Sequence, residues 1–307
     1  MFTEIFKALP EDFQISTGEF IYNSYYEFLY SLAGAKRNSI EINGFRVQYF
    51  TAGNVKKPTL VFLHGFSDSK ESYLPISILL KDNYHIVVLD LPGFGKSDRP
   101  ATKYSISQYA KWVNVFLEKL SITGAYFSGN SMGGAILMEI VTRHPERVKA
   151  QALLSSAGLV LHSNSLNLYD LYFYGKNLFQ IENEDDFNFF LSYLVHNPNR
   201  FPLPVRKHLF HKYIVNSTWY TKLLNDLLHD TIHTEELKIL HHKNIKNINI
   251  ETHIIWGKED KIFPLDIGYE LNDMIPNSKM KVYENVGHAP HMEATVELSE
   301  YFKNIFR

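Results

Sequence analysis

Short runs of apolar residues alternate with helical stretches through the first half of the chain. The runs are Thr59–Leu63, His85–Asp90, Ala125–Gly129 and Val148–Ser155. Stretches with the apolar spacing of amphipathic helices separate them, near residues 73–80, 107–120 and 132–144. Strands that are apolar on both faces belong in a parallel sheet covered by helices on each side. The alternation therefore predicts an α/β fold with a mostly parallel central sheet flanked by helices.

The alternation breaks at about Leu159 and resumes at Ile250. Two further strands and a closing helix then follow, at residues 251–256, 280–283 and 295–306. Between Leu166 and Leu240 the chain keeps a helical period and carries fourteen aromatic residues, which is more than a flexible linker would hold. We predict a helical cap, or lid, inserted into the α/β core. The predicted boundaries are 36–158 and 250–307 for the core and 159–249 for the cap.

Residues 1–35 precede the first strand and form a predicted helical extension. Apolar residues recur there at helical spacing in two groups: Phe2, Ile5, Phe6 and Leu9, and Tyr22, Tyr25, Tyr26 and Leu29. We expect two short amphipathic helices that pack on the main body. The alternative is peripheral contact with a membrane surface, through this extension or through the cap.

A period of two begins at Ser39, before the first apolar run. Residues alternate between apolar and polar to Ile42 and again over Phe45–Tyr49. The Asn43-Gly44 pair between these segments is typical of a tight hairpin turn. We therefore predict an antiparallel hairpin at the start of the core.

The charge balance and residue content exclude several classes of protein. Lys and Arg number 31 against 33 Asp and Glu, so no basic surface for nucleic acid is expected. The chain has no cysteine, which excludes a thiolate metal site and a cysteine nucleophile. It has no P-loop and no HExxH motif, and the glycines of residues 91–97 lack the pattern of a dinucleotide site. We expect neither a metal nor a cofactor.

The apolar runs also bear on location. They are far shorter than the roughly 20 residues that span a bilayer. The first ten residues lack the basic start and long apolar core of a secretory signal. A cytoplasmic location is the resulting expectation.

The sequence Gly129-Asn-Ser-Met-Gly133 directly follows an apolar strand and opens a helix. A serine on such a tight strand-to-helix turn needs small neighbours, because a side chain at either flanking position would meet the returning backbone. Gly129 and Gly133 meet this need. Ser131 is therefore the predicted nucleophile, placed where free helix N–H groups favour negative charge.

A serine hydroxyl needs a base and an acid to activate it, and this kind of turn demands the chain order Ser, acid, His. Asp260 lies just past a predicted strand and is the predicted acid, with Glu259 as the competing residue. His288 follows the last strand and is the predicted base. His291 and His144 are the alternative bases among the fourteen histidines.

Ester hydrolysis passes through an oxyanion that two backbone N–H groups can bind. One should belong to Met132, directly after the nucleophile, and the other to Phe66 in the loop after the first parallel strand. Gly65, in the same stretch, is a predicted support residue of this loop. His64 precedes the serine in the chain, and we expect it to brace the loop rather than to act as the base.

Five motifs stand in order along the chain: His64–Phe66, Asp90–Asp98, Gly129–Gly134, Trp256–Asp260 and Asn285–His288. With them the chain resembles the α/β-hydrolase superfamily from about Ser39 to the C-terminus. The resemblance implies the α/β-hydrolase fold. It also implies that Ser131, Asp260 and His288 form a catalytic triad.

Within the family the chain is most similar to the serine esterase and monoacylglycerol lipase group, on residues 156–159, 254–258 and 287–293. Epoxide hydrolases and haloalkane dehalogenases place an aspartate where this chain has Ser131. Hydrolases that cleave carbon–carbon bonds in ring-fission products share the elbow pattern, but usually carry tryptophan after the catalytic histidine. Here that residue is Ala289, which favours esters.

The predicted function is hydrolysis of carboxylic esters with short or medium acyl chains, with monoacylglycerol among the candidates, through an acyl-enzyme. The aromatic cap could supply apolar surface for the acyl chain. Two alternatives stay open: carbon–carbon bond hydrolysis of ring-fission diketones, and a catalytically silent α/β-hydrolase that serves as a ligand receptor or interaction module.

Overall fold

The computed structural model describes residue 6 and residues 8–158, 167–232 and 244–307, and its centre is an eight-stranded sheet. The strands are β1 Lys36–Ile42, β2 Phe45–Ala52, β3 Thr59–Leu63, β4 His85–Leu89, β5 Ala125–Asn130, β6 Val148–Leu154, β7 Glu251–Gly257 and β8 Lys279–Tyr283. Their order across the sheet is β1-β2-β4-β3-β5-β6-β7-β8. Strand β2 pairs antiparallel with β1 and β4, and the remaining pairs of this sheet are parallel. The predicted mostly parallel sheet is confirmed.

Helices cover both faces of the sheet. They are α1 Glu11–Ala33, α2 Leu74–Leu80, α3 Ile106–Lys119, α4 Met132–Arg143, α5 Leu168–Phe173, α6 Glu184–Leu194, α7 Leu203–Ile232, α8 Leu265–Met274, α9 Pro290–Glu293 and α10 Thr295–Ile305. Buried residues of α3, α4 and α8 pack on one face, and those of α1, α2 and α10 pack on the other. Helix α8 connects β7 to β8 and was not predicted.

Strand β3 shows why the apolar runs have no polar side. Val61 and Leu63 belong to the core under one face of the sheet, whereas Leu60 and Phe62 belong to the core under the other. All four side chains are fully buried. Because successive side chains of a strand point to opposite faces, a strand covered twice must be apolar at every position.

The predicted hairpin is also confirmed. Strands β1 and β2 pair antiparallel with Ile42 opposite Phe45. The two residues between them, Asn43 and Gly44, have φ values of 48° and 83°. Positive φ at both positions is the geometry of the turn that matches the twist of a hairpin.

The N-terminal extension differs from its prediction. One helix of 23 residues, α1, runs from Glu11 to Ala33, begins after Pro10 and ends at Gly34, where φ is 59°. The prediction of a second short helix over residues 22–29 was therefore wrong, because that segment is part of a longer helix. Most of the first predicted helix lies outside the described residues. Among the described residues, no helix is long and apolar enough to cross a membrane.

Helix α1 rests on α7 as well as on the core. At Gly18 the two backbones approach so closely that an added Cβ would lie 1.9 Å from the carbonyl oxygen of Pro204. Only glycine permits such an approach. The extension and the cap are thus packed against each other, in addition to the contacts of α1 with the core.

Helices α5, α6 and α7 follow β6 and precede β7 in the chain, where the sequence predicted a helical insertion. Each of the first two begins at an asparagine cap: Asn167 accepts from the N–H groups of Tyr169 and Asp170, and Asn183 accepts from that of Asp186. Aromatic rings join α6 to α7, since Tyr213 lies 4.7 Å from Phe190 between ring centroids. The predicted boundary at residue 159 lies outside the described residues.

Candidate active site

Ser131 lies at the junction of β5 and α4, with φ of 53° and ψ of −119°. Its N–H donates to the carbonyl of Leu154 at 2.9 Å. A Cβ on Gly129 would lie 2.4 Å from the carbonyl oxygen of Gly133, and one on Gly133 would lie 2.2 Å from that of Leu63. The flanking glycines therefore permit the sharp turn, and the strained backbone of Ser131 is held by the sheet on both sides.

Asp260 and His288 are brought together above the ends of β7 and β8. Oδ2 of Asp260 lies 2.9 Å from Nδ1 of His288. Oδ1 of Asp260 accepts from the N–H groups of Ile262 at 2.9 Å and Phe263 at 3.0 Å. Both partners of the pair are almost fully buried. The carboxylate is therefore fixed in one orientation and holds the imidazole with Nδ1 toward it.

Further hydrogen bonds tie the histidine loop to its neighbours. The backbone N–H of His288 donates to the carbonyl of Leu194 at the end of α6, at 3.1 Å. The Asn130 amide donates to the carbonyls of His288 and Leu154, each at 3.0 Å. Asn130 precedes Ser131, so the elbow and the histidine loop are joined by a side chain that the sequence analysis did not single out, although it lies inside the elbow motif.

The competing acid and bases have other contacts. Glu259 accepts from the N–H of Val286 at 2.9 Å. His291 is buried and stacks on Tyr73, with Nε2 3.6 Å from Oδ2 of Asp68. His144 is partly exposed and lies 3.6 Å from Glu146. In the part of the chain that the structure describes, Asp260 has only His288 as its histidine partner.

The loop after β3 passes directly against the elbow. A Cβ on Gly65 would lie 3.2 Å from Cβ of Ser131. Phe66 and Met132 line a cavity together with Ser131. Neither of their backbone N–H groups has a protein acceptor among the described residues, so both are free to donate to a bound group.

His64 holds this loop in place. Its Nε2 accepts from the N–H of Leu91 at 2.9 Å, so Nδ1 carries the proton and donates to the carbonyl of Gly65 at 2.7 Å. The side chain is fully buried. Both ring nitrogens are therefore engaged in holding the loop to the end of β4.

Two cavities meet at Ser131. The first, which we call the apolar cavity, is lined mainly by side chains of α4, α7 and neighbouring segments: Met132, Ala135, Met138, Leu224, Leu227, Leu228, Ile245 and Phe263. The second, the mixed cavity, also reaches His288. It adds polar side chains from the loop after β3, from α1, from α7 and from α9: Tyr22, Tyr26, Ser67, Asp68, Ser69, Ser72, Lys212, Tyr213 and His291. Ser131, Phe66 and Leu168 border both.

No group of three or more histidine, aspartate or glutamate side chains within the described residues is arranged to hold a metal ion.

The profile of the alpha/beta hydrolase fold matches residues 58–295. The chain belongs to the α/β-hydrolase family. Lipase 1 of Psychrobacter immobilis is 28% identical over 263 residues, which cover 85% of this chain and 80% of the relative. The monoacylglycerol lipase ABHD6 of Rattus norvegicus is 27% identical over 246 residues, covering 77% of this chain and 72% of the relative.

Among solved structures, a membrane phospholipase A described as a bacterial virulence factor matches with a TM-score of 0.86 and 25% identity, over 94% of this chain and 91% of that one. The comparisons confirm the family expected from the motifs and its similarity to lipases. They class the chain as a serine ester hydrolase.

Proposed function

We propose that this enzyme hydrolyses carboxylic esters of short and medium acyl chains, monoacylglycerol among them, through Ser131, His288 and Asp260. Ser131 Oγ attacks the carbonyl carbon while Nε2 of His288 takes its proton. The N–H groups of Phe66 and Met132 bind the oxyanion. His288 then gives the proton to the leaving alcohol, and water hydrolyses the acyl-enzyme by the same path.

The observation that carries this proposal is that Ser131 lines one cavity with His288, the partner of Asp260, and another with Phe66 and Met132, whose N–H groups have no acceptor among the described residues. With Nδ1 of His288 on Asp260, Nε2 is the nitrogen left to face the cavity that Ser131 also lines. The buried carboxylate orients the ring and stabilises the imidazolium that forms during attack.

The apolar cavity supports an acyl group as the part of the substrate that is buried. Its lining is mostly aliphatic, and each methylene placed there is worth about 0.8 kcal/mol. The polar side chains belong instead to the mixed cavity, which Ser131 lines together with His288. The acyl chain therefore occupies the apolar cavity, and the alcohol leaves through the mixed cavity.

The experiment that tests the proposal compares wild type with Ser131→Ala on a p-nitrophenyl ester. Loss of the nucleophile should reduce kcat by about 10⁴- to 10⁶-fold and abolish labelling by a fluorophosphonate probe. Ser39→Ala, at an exposed position of β1, is the matched control and should retain activity and labelling. Unchanged turnover in Ser131→Ala would remove the mechanism.

The same preparation separates the alternatives. A vinylogous diketone from ring fission should be cleaved far more slowly than the best ester. Diketone turnover at least tenfold above that ester would establish carbon–carbon bond hydrolysis instead. Wild-type protein that neither hydrolyses esters nor reacts with the probe would be a silent member of the family.

A further inference from the structure

The loop that carries His288 lies against the cap as well as against the sheet. The backbone N–H of His288 donates to the carbonyl of Leu194, the last residue of α6, at 3.1 Å. A Cβ on Gly287 would lie 2.7 Å from the backbone nitrogen of His196 and 3.0 Å from the carbonyl carbon of Val195. The predicted base is therefore in main-chain contact with the cap segment that follows α6.

Glu293, the last residue of α9, bridges this contact with its side chain. Its Oε1 accepts from the N–H of Gly287 at 3.0 Å, and its Oε2 accepts from the N–H of His196 at 2.8 Å. Close by, the guanidinium of Arg200 in the cap donates to the carbonyl of Met292 at 2.9 Å. One carboxylate thus joins the histidine loop to the cap, at the residue directly before the base.

This bridge needs an acceptor with two oxygens. Among the described residues, neither the Gly287 N–H nor the His196 N–H has another protein acceptor. A carboxylate can accept on both oxygens, whereas a carboxamide has one acceptor oxygen. A backbone N–H that loses its acceptor away from water costs free energy, so replacement of Glu293 should release at least one of the two segments.

The surroundings of Glu293 do not favour its charge. Burial raises the pKa of this carboxyl above its ordinary value, although the N–H groups of His196 and Gly287 and the charge of Arg200 lower it. A raised pKa means that the ionised form is less stable here than in the unfolded chain. The charge itself therefore adds no stability, and what the carboxylate supplies at this position is its second acceptor oxygen.

We propose that Glu293 is a positioning residue for the base His288, because it fastens the histidine loop to the cap through Gly287 and His196. This role rests on the proposed function and adds a residue to the same site. Glu293 lines neither of the two cavities that Ser131 borders. Its effect passes instead through the backbone of Gly287 to the next residue, His288.

The imidazole of His288 must keep two directions at once. Nδ1 has to stay beside Oδ2 of Asp260, at 2.9 Å, while Nε2 faces the cavity that Ser131 lines. If the loop is released from the cap, the ring spends less time in this orientation. Small displacements of a reacting group lower the rate strongly. Loss of the bridge should therefore slow proton transfer without weakening the binding of the ester.

The test compares wild type with Glu293→Gln and Glu293→Ala on a p-nitrophenyl ester. Glu293→Gln keeps the shape of the side chain but only one acceptor oxygen, so kcat should fall about tenfold. Glu293→Ala removes both bonds and should lower kcat about 100-fold. KM should change by less than about threefold in both variants, because an interaction that serves only the chemical step does not contribute to substrate binding.

Labelling by a fluorophosphonate probe separates poor positioning from partial unfolding. A misplaced base slows the labelling of Ser131, but the final extent of labelling stays that of wild type. Partial unfolding lowers the final extent instead. Thermal melts identify any variant that does not fold, and Glu293→Gln, which keeps the side-chain volume, decides the question if Glu293→Ala is lost in this way.

Two further variants serve as controls. Glu297→Gln removes an exposed carboxylate from α10 and should match wild type in every measurement. Glu293→Asp keeps the charge but is shorter by one methylene, so it cannot reach both N–H groups. We expect it to be about as slow as Glu293→Gln.

The outcomes distinguish this role from the function on which it rests. Wild-type kcat and labelling rate in folded Glu293→Gln and Glu293→Ala would overturn it. So would wild-type rates in Glu293→Asp beside slow Glu293→Gln, since the charge and not the bridge would then act. A loss of kcat matched by a lower final extent of labelling would make Glu293 a residue of the fold alone. Wild-type protein that neither hydrolyses esters nor reacts with the probe would instead remove the proposed function.

Discussion

The loops at the strand ends and the cap helices α6 and α7 are held in place by different kinds of contact. Around Ser131 the constraints are main-chain ones: its N–H bonds to Leu154, and the backbone of Gly133 lies against that of Leu63. In α6 and α7 the constraints are mostly between side chains, such as the rings of Phe190 and Tyr213. The reacting atoms should therefore tolerate little change, whereas the walls of the cavities can be altered by substitution.

The largest effect is expected for a substitution of the predicted acid, Asp260. Asp260→Asn should lower kcat by about 10⁴-fold, because the amide favours the wrong imidazole tautomer of His288 even where the geometry is kept. Glu259→Gln is the matched control on the neighbouring residue, and its bond to the Val286 N–H should survive in the neutral amide. Steady-state kinetics on a p-nitrophenyl ester measure both. If Glu259→Gln lowered kcat strongly and Asp260→Asn lowered it only slightly, the acid of the triad would be Glu259 and not Asp260.

A second prediction uses the same substitution in both regions. Gly133→Ala and Gly18→Ala each place a Cβ within about 2 Å of a backbone carbonyl oxygen, 2.2 Å from Leu63 in one and 1.9 Å from Pro204 in the other. Because the elbow cannot move without displacing Ser131, Gly133→Ala should reduce kcat/KM by at least about 100-fold.

For Gly18→Ala the added methyl can be accommodated by a shift of α1 away from α7. We expect a loss of about 1 to 3 kcal/mol in the free energy of unfolding, with kcat on a methyl ester little changed. Denaturant unfolding measures the loss of stability in the two variants, and steady-state kinetics measure their loss of activity. Equal losses of activity would show that α1 and the cap constrain Ser131 as tightly as the sheet does.

The difference between main-chain constraints near Ser131 and side-chain contacts in the cap also explains which features could be predicted from the sequence. The strands are recognisable because a sheet covered on both faces requires unbroken apolar runs, and Thr59–Leu63 has the same limits in the structure as in the prediction. The roles assigned to Ser131, Asp260 and His288 stay predictions. The structure places Asp260 beside His288, and Ser131 lines the same cavity as His288. These loops could be recognised in the sequence because their tight backbone turns require glycine.

The wall formed by α1 could not be predicted in this way. Phe13, Phe20 and Phe28 are exposed, so the helix shows no single clean apolar stripe, and its full length was missed. Tyr22 and Tyr26 were recognised only as packing residues. Their place on the mixed cavity depends on how α1 crosses α7, where Gly18 meets Pro204, and no local pattern in the sequence encodes that crossing.

The smallest predicted effect concerns the length of the acyl chain. Each added methylene should raise kcat/KM by at most about fourfold until the apolar cavity is filled, because a fully buried methylene contributes about 0.8 kcal/mol.

Ala135 is buried and lines this cavity from α4. Ala135→Leu should shorten the preferred acyl chain by about two or three carbons, since the larger side chain takes up the volume of that many methylenes. A series of p-nitrophenyl esters measures the shift, with Ala101→Leu, at an exposed loop position, as the matched control. If folded Ala135→Leu keeps the wild-type preference for acyl-chain length, the acyl chain lies outside the apolar cavity. The mixed cavity would then hold the acyl chain, and the apolar cavity would be the exit for the alcohol.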